Sequence, residues 1–455
     1  MRRILCFVRP NLLHLYSASD CAKKSHVERL MQYVWQHKLW NPIGMTTVDG
    51  QRVRVIDPGL LNTDAGPDFF NAKIEIGGRL WAGNVEIHVR ASDWKRHHHD
   101  TDPAYDSVIL HVVEKDDAPV RRTNGEIIPQ MVMQCSPQFS ERYNKLISAQ
   151  NDLPCASKIP EIPQLTITEW VQRLAFERLN DKVDRLNSLY DAYSGSWEDI
   201  CYVALARALG FGINNDAFEM LARRTPLRLL HKHSDSMLQI EALLFGQAGM
   251  LADTKLESIV PYYRQLRREY SFLANKFQLK PMDGSSWKAF RIRPQNFPYR
   301  RIALLAHFIY GGFNLMTELL QRSNEKALRD LFSLKLSGFW ANHFTFNGAP
   351  NEMDASALSN SSIDIILINT VAPLYYAYSI KTDNYQLSEK AINLLESLRP
   401  ERNSIVTTFT NAGIKCPDAL TSQALIQLRR QYCETRKCLY CKIGHRLLSV
   451  AAHQT

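Results

Sequence analysis

The sequence has no uninterrupted apolar run of the roughly 18 residues that a membrane-spanning helix needs. It also has no internal repeat of fixed period and no low-complexity tract, which argues against a solenoid and against a largely disordered chain. Residues 1–24 faintly resemble a signal peptide, but Arg9 and Pro10 interrupt their apolar run. We therefore expect a disordered N-terminal extension on a cytoplasmic protein that has no membrane partner; its protein partners stay unknown.

Cysteine is sparse and odd in number, with nine residues among 455. An odd, scattered set argues against a disulfide framework and suits a reducing compartment. Three of them, Cys433, Cys438 and Cys441, form the pattern C-x4-C-x2-C near the C-terminus. Neighbouring arginine and lysine residues lower thiol pKa values and favour thiolate ligands, so the pattern predicts a metal site.

The local pattern leaves the fourth ligand of this site open. His445 would complete a Cys3His zinc site, whereas Cys155 or Cys416 would complete a four-cysteine site for Zn²⁺ or an iron–sulfur cluster. The alternative is that these are reduced structural thiols.

Charge and composition describe an ordinary globular protein with a basic surface. Hydrophobic residues make up 45% and charged residues 22%, and the formal net charge is +9. A chain of this length predicts two or three domains. The positive charge suits a polyanionic partner such as nucleic acid, and the alternative is a generic solvated surface.

The pattern of apolar residues divides the chain. Residues 25–150 predict an α/β domain: a helix over 26–39, a strand over 52–56, and a hairpin of strands 69–76 and 80–89 around Gly77-Gly78. A polar segment over 92–106 and a buried strand over 108–113 follow. Residues 151–165, with Pro160 and Pro163, predict a linker to a mainly α-helical domain over 166–430. Residues 431–455 form a cysteine-rich segment.

Two acidic residues and a histidine come together on the predicted hairpin. Glu86 and His88 lie on one face of their strand, because side chains alternate. A two-residue turn places Asp68 opposite Ile87 and on the wrong face, but a three-residue turn or a bulge near Pro67 would turn it towards the pair. Two close carboxylates need a cation such as Mg²⁺ or Mn²⁺, and His88 would act on water. The alternative is that both acids cap turns or pair with arginines (Arg54, Arg79 and Arg90).

This arrangement resembles the PD-(D/E)xK nuclease superfamily over residues 28–114, on the motifs Pro67-Asp68 and Glu86-Ile87-His88. The resemblance implies a mixed sheet with helices and a metal-dependent phosphodiesterase. It also implies metal-ligand roles for Asp68 and Glu86 and an auxiliary acid at Glu28. His88 stands where the superfamily usually has lysine, and a neutral imidazole stabilises negative charge less well. A non-catalytic nucleic-acid-binding protein therefore remains the first alternative function.

Nearly the whole chain also resembles an uncharacterised bacterial family known only as a domain of unknown function. The resemblance rests on the segments NTDAGPDFFNAKI, WAGNVEIHVRASDW, AYDSVILHVV, EALLFGQAGML, RIRPQNFPYRRIALLA and CLYCKIG. It implies no activity.

The run His97, His98 and His99 predicts a different site, a transition metal held by imidazoles and carboxylates. Consecutive side chains point in different directions, so at most two of the three would bind one ion. This site would suit a small-molecule metallohydrolase, the second alternative function, and the simpler interpretation is a solvated loop. His111, inside an apolar run, is interpreted as a buried structural histidine.

A basic stretch predicts contacts with nucleic acid. Arginines surround Phe297-Pro298-Tyr299 and could clamp phosphates while the rings stack on bases (Arg291, Arg293, Arg300 and Arg301). The alternative is that they form caps and salt bridges within the helical domain. The leading function from sequence is a metal-dependent nuclease-like protein that binds or cleaves DNA or RNA.

Overall fold

The computed structural model describes residues 26–40, 44–289, 292–322, 324–351 and 357–449. The predicted extension over residues 1–24 and Arg291 lie outside these described residues. The chain divides into two compact units, one of Met1–Ile167 with Gln431–Thr455 and one of Thr168–Arg430. The first unit carries a mixed sheet with helices, and the second is mainly helical.

The first unit begins with a helix and a sheet. Its elements are α1 (His26–Gln36), β1 (Val53–Asp57), β2 (Leu60–Leu61), β3 (Phe69–Ile76), β4 (Arg79–Arg90), α2 (Asp93–Arg96), β5 (Val108–Lys115), β6 (Gln130–Val132) and α3 (Pro137–Ser148). Within the described residues these strands form one sheet in the order β1-β3-β4-β5-β6, with β2 also paired to β3. Strands β1, β3 and β4 are antiparallel neighbours, whereas β5 runs parallel to β4 and β6 parallel to β5.

The hairpin of β3 and β4 has the predicted two-residue turn. Ile76 pairs with Arg79, and Gly77 and Gly78 have φ angles of 57° and 80°, which glycine adopts without strain. The register then slips by one residue between Phe69 and Ala72. The slip contains Asn71, whose φ is 55°. Of the two irregularities that the sequence allowed, a longer turn or a bulge near Pro67, the structure has a bulge, and it lies inside β3 and not beside Pro67.

Different parts of the first unit pack against the two faces of β4. Val85 and Ile87 are fully buried in the same hydrophobic cluster as Met31 and Trp35 of α1. Glu86 and His88 project from the opposite face, because side chains alternate along a strand. The crossover from β4 to β5, which contains α2, brings Trp94 close to the His88 ring on this face, with ring centroids 6.5 Å apart. The predicted helix, strands and irregular crossover thus place the polar pair inside the unit.

The cysteine-rich segment is part of the first unit. A short turn over Cys438–Tyr440 leads into a C-terminal helix, Lys442–Ser449. Leu439 and Leu448 belong to the same hydrophobic cluster as α1 and the sheet. Residues close to opposite ends of the chain therefore build one core.

The second unit is a helical assembly around a large apolar core. Its helices are α4 (Gln164–Ala192), α5 (Trp197–Leu209), α6 (Asn215–Arg224), α7 (Leu227–His231), α8 (Met237–Gln247), α9 (Thr254–Ile259), α10 (Pro261–Phe277), α11 (Pro298–Ile309), α12 (Leu315–Gln321), α13 (Glu325–Phe332), α14 (Asn360–Ile366), α15 (Ala372–Thr382), α16 (Tyr385–Ser397), α17 (Ser404–Asn411) and α18 (Ala419–Gln427). Among the described residues one helical stretch, Asn360–Thr382, is long and apolar enough to cross a membrane, and 67% of its most apolar window is buried. Core helices of globular proteins meet the same criterion, so the stretch carries no membrane assignment.

Candidate functional site

The side chains of Asp68 and Glu86 lie beside each other where β3 begins next to β4. Both side chains are buried, with 3% and 4% of their surface exposed. The Asp68 amide donates to Glu86 Oε2 at 2.9 Å. Asp68 Oδ2 in turn accepts the amide of Ile87 at 3.1 Å and the side-chain amide of Gln32 at 2.8 Å. These bonds fix one oxygen of each carboxylate.

Helix α1 supplies the outer support of the acidic pair. Gln32 is the residue that reaches Asp68, and sequence reasoning did not identify it. Glu28 is buried one turn earlier on the same helix. A polar residue four positions after Glu28 lies on the same helix face, which is the signal that could have revealed Gln32.

Two imidazoles lie near the second oxygen of Glu86, and a third imidazole lies near one of these two. Glu86 Oε1 lies 3.5 Å from His88 Nε2 and 3.5 Å from His99 Nε2. His97 Nδ1 lies 3.2 Å from His88 Nε2. Among the described residues, His88, His97 and His99 form a group whose ligand atoms all lie within 4.8 Å of one another. The crossover therefore brings its histidines to the acidic pair.

The histidine run uses two of its three members here, as the alternation of side chains predicted. His98 is exposed and has a φ of 62°, which separates it from its two neighbours. The sequence indicated a site for these histidines that is different from Asp68 and Glu86. The structure instead places His99 beside Glu86 and His97 beside His88, because the crossover returns over the polar face of β4.

A second layer of aromatic and imidazole groups holds these ligand atoms. His111 is fully buried, and its Nε2 lies 2.9 Å from His88 Nδ1. Burial, and then the proximity of His99, lowers the pKa of His111 to about 3, so this ring is neutral. Tyr105 stacks on His99 with ring centroids 3.7 Å apart, and Trp94 donates its indole N–H to Arg121 O at 3.1 Å.

Tyr105 lies close enough to the two acids for their charges to affect its pKa. Its pKa is raised above the usual range, first by burial and then by the charges of Glu86 and Asp68. Arg54, one proposed partner of the acids, instead forms an ion pair with Glu75. Imidazole nitrogens that face one another and a buried carboxylate need a proton or a cation between them. This donor set suits Mn²⁺, Fe²⁺ or Zn²⁺ better than Mg²⁺, which prefers oxygen ligands.

The cysteines form a separate group in the first unit. Cys155, Cys433, Cys438 and Cys441 line one cavity. The pKa of Cys155 is raised to about 12, first by burial and then by the nearby Cys441 and Cys438.

The two other proposed fourth ligands are engaged elsewhere. His445 hydrogen-bonds through Nδ1 to the Tyr33 hydroxyl, and its ring centroid lies 4.8 Å from that of His37. Cys416 belongs to the second unit, where its thiol contacts Asp418 O at 3.8 Å.

The arginines of the basic stretch are not all at the surface. Arg300 is 2% exposed and donates to the carbonyls of Trp340 and His343 at 3.0 and 3.2 Å. Arg301 is 3% exposed and lies 4.2 Å from the Phe211 ring centroid. Arg293 is exposed. Buried guanidinium groups that are engaged in this way are not available to phosphates, so the proposed nucleic-acid role of Arg300 and Arg301 is corrected to a structural one.

Comparison with known proteins gives a family and no activity. Residues 28–404 match the model of a family described as "Protein of unknown function (DUF2851)". No curated protein and no solved structure matches the chain. The chain belongs to this family of unknown function.

Proposed function

We propose that this family member is a metal-dependent hydrolase of phosphodiester bonds in nucleic acid, with Glu86, His88, His97 and His99 as its metal ligands. The observation that carries the proposal is the position of Glu86 Oε1, 3.5 Å from both His88 Nε2 and His99 Nε2. The net charge of +9 supports a polyanionic substrate.

The order of elements supports the choice of reaction. A helix, an antiparallel meander of three strands and a parallel fourth strand follow one another in α1, β1, β3, β4 and β5. This is the order that the resemblance to PD-(D/E)xK nucleases implies. Asp68 immediately precedes the second strand of this meander and Glu86 lies on the third, close to where the resemblance expects the acidic residues.

A bound divalent transition metal would supply Lewis acidity and lower the pKa of a bound water. Hydrogen bonds within the chain orient the proposed ligands Glu86 and His88. The Asp68 amide holds Glu86 Oε2, which leaves Oε1 directed at the imidazoles. His111 occupies the Nδ1 side of His88, so Nε2 of His88 is the atom that faces the site.

The roles proposed from sequence change accordingly. We assign Asp68 to positioning, because its Oδ2 accepts hydrogen bonds from Gln32 and Ile87. We assign His88 to metal binding, where the sequence suggested action on water. His97 is exposed and forms the side from which a substrate would approach.

The test uses a pair of variants from the histidine run. His97→Ala removes a proposed ligand, whereas His98→Asn changes an exposed neighbour and keeps a residue type that tolerates positive φ. We expect wild-type protein and His98→Asn to bind Mn²⁺ and to cleave DNA or RNA, with cleavage abolished by EDTA. His97→Ala and Glu86→Gln should lose cleavage and weaken Mn²⁺ binding by more than about 100-fold, beyond the effect of losing an outer-layer partner.

Titration calorimetry with Mn²⁺, Zn²⁺ and Mg²⁺ and gel assays on single- and double-stranded substrates provide the measurements. Equal metal binding by His97→Ala and His98→Asn would contradict the ligand set. Metal binding without cleavage of any nucleic acid would contradict the phosphodiesterase.

The burial of the site favours one second candidate, hydrolysis of a small molecule. Asp68, Glu86 and His88 are 3%, 4% and 1% exposed, and enclosed sites suit small ligands better than a polymer backbone. If the protein hydrolyses a small phosphodiester but cleaves no nucleic acid, this candidate is supported over the first.

A further inference from the structure

We propose that Cys155, Cys433, Cys438 and Cys441 are the four ligands of a second metal centre, built of thiolates, whose spacing suits an iron–sulfur cluster better than a single zinc ion. The four side chains line one cavity in the first unit. They come from two segments that the sequence separates by almost 280 residues. The proposal does not depend on the hydrolase activity.

Three of the ligands come from one folded turn. Cys433 ends a π-helical segment, Leu428–Cys433, and Cys438 begins a 3-10 turn, Cys438–Tyr440. The Arg436 amide donates to Cys433 O at 3.2 Å, and the Cys441 amide donates to Cys438 O at 3.4 Å. Arg436 has a φ of 53°, which reverses the chain between Cys433 and Cys438. The turn therefore brings all three cysteines to one side.

Arg436 also fastens the segment that carries the fourth ligand. Its guanidinium donates to Ala149 O at 2.6 Å and to Asn151 O at 3.3 Å. Beyond this tie, the Lys158 amide donates to Cys155 O at 2.9 Å and orients the start of the next helical turn. Arg436 thus holds both segments together and also lines the cavity between their cysteines.

Gly444 allows the C-terminal helix to close the site. A Cβ atom at this position would lie 2.1 Å from Cys438 O, so no other residue would permit this approach. The close contact holds Cys438 and Cys441 against the first turn of the helix. The local sequence is therefore adapted to this packing around the cavity.

The spacing of the thiols separates two kinds of centre. A tetrahedral zinc ion with Zn–S distances of about 2.3 Å brings its sulfurs to about 3.8 Å from one another. Among the residues that the structure describes, the histidine group meets a mutual limit of 4.8 Å and no three of these cysteines do. A cluster of several iron and sulfide ions holds its four thiolates farther apart than a single ion does, so it suits this set of cysteines better.

Such a centre would join the C-terminal segment to the helical turn after α3. The thiols lose their protons on binding, and a group bound only by the folded state stabilises that state. We therefore expect removal of the metal to loosen residues 431–449 first.

The experiment is anaerobic purification of the full chain, followed by elemental analysis for iron and zinc, acid-labile sulfide analysis and a visible spectrum. Cys155→Ser and Cys438→Ser are compared with Cys135→Ser, a cysteine of the same unit that does not line the cavity. We expect iron, sulfide and visible absorbance in wild-type protein and Cys135→Ser, and near-complete loss in the other two variants. Wild-type protein and the three variants are each also prepared with His97→Ala added, so that metal at the histidine site cannot be mistaken for this centre.

Each other outcome decides against part or all of the proposal. If wild-type protein contains zinc and Cys155→Ser does not, the iron–sulfur cluster is overturned and the four-thiolate centre is retained. Neither metal in wild-type protein, or equal metal in Cys155→Ser and Cys135→Ser, would overturn the centre. If Cys155→Ser fails to fold, alkylation of wild-type protein decides, because chelation should make these four thiols reactive together and leave the reactivity of Cys135 unchanged.

Discussion

The two units bury polar side chains with different kinds of partner. In the first unit, imidazoles face one another and a carboxylate, as in the 3.2 Å contact of His88 Nε2 with His97 Nδ1. In the second unit, buried charges meet carbonyls, amides and aromatic rings, as Arg300 does at Trp340 O, 3.0 Å away. The first arrangement sets several groups able to bind a metal side by side, whereas the second pairs donors with acceptors. The kind of partner that a buried charged residue has, and not its burial alone, therefore indicates whether it belongs to a site.

Lys182 in the second unit illustrates the second arrangement. Its ammonium donates to Asn369 Oδ1 at 2.9 Å and to Gln423 Oε1 at 2.6 Å, while burial lowers its pKa to about 7. Taken alone, this pKa would mark Lys182 as a functional residue. Its hydrogen-bond acceptors are two side-chain amides and the carbonyl of Ile368, 3.4 Å away, so its donors are used within the helical unit, where they hold helices together.

The largest effect that would sharpen this comparison is expected for Arg300→Ala. The change leaves the buried carbonyls of Trp340 and His343 without donors, at about 1–3 kcal/mol each, so we expect a loss of about 4 kcal/mol in unfolding free energy. Arg293→Ala, at an exposed position, should change it by less than about 0.5 kcal/mol. Hydrogen exchange of α11 in the full chain measures both. If Arg300→Ala weakens nucleic-acid binding and leaves the hydrogen exchange of α11 unchanged, the phosphate-binding role of Arg300 is restored.

A smaller effect is expected from the pH dependence of Glu241. Burial raises its pKa from 4.5 to about 7 in the folded protein, although it accepts a hydrogen bond of 2.7 Å from Tyr262. A raised folded pKa means that the contribution to stability is complete below about pH 4.5 and is lost as pH rises through about 7. The loss amounts to about 3 kcal/mol at most.

Glu241→Gln should remove this loss. Thermal unfolding between pH 5 and 8, roughly the window set by the two pKa values, should show a flatter stability profile in the variant than in wild-type protein. Glu396→Gln, at an exposed position, is the control and should keep the wild-type slope. Parallel slopes in all three proteins would show that the Glu241 carboxyl is solvated.

The smallest effect concerns the bulge that positions Asp68. Asn71 is exposed and has a φ of 55°, so Asn71→Val should cost about 1–2 kcal/mol through backbone strain alone. Asn71→Gly keeps the conformation and should stay within a few tenths of a kcal/mol of wild type. If the bulge orients Asp68, only Asn71→Val should also weaken Mn²⁺ binding in a calorimetric titration. Equal Mn²⁺ affinity in both variants would show that the bulge does not position Asp68 for metal binding.

The hairpin shows how far local sequence reaches. Gly77-Gly78 predicted the turn, and the pairing of Ile76 with Arg79 is confirmed. The need for an irregularity followed from the same register, but its position at Asn71 did not. A slip of one residue costs little locally, and the packing of β3 against β1 and β4 selects where it occurs.

The histidines show the corresponding limit for the site. Alternation predicted that at most two members of the run would share one ion, and the structure groups His97 and His99 with His88. Their union with Glu86 depends on the return of the crossover over β4, which no local spacing encodes. Gln32 shares a helix face with Glu28, which local spacing does reveal, but its contact with Asp68 joins α1 to the residue before β3 and depends on the tertiary fold.

By itself the sequence determined the elements, the class of each region and the residue types able to bind metal, because these follow from periodicity, turn residues and side-chain chemistry. Tertiary structure alone decided which of those residues meet. It joined two predicted sites at Glu86, buried Arg300 and Arg301, and brought Cys155 to the C-terminal cysteines. The physical reason is that each of these outcomes depends on burial and on contacts between distant segments, and both are fixed only when the whole unit packs.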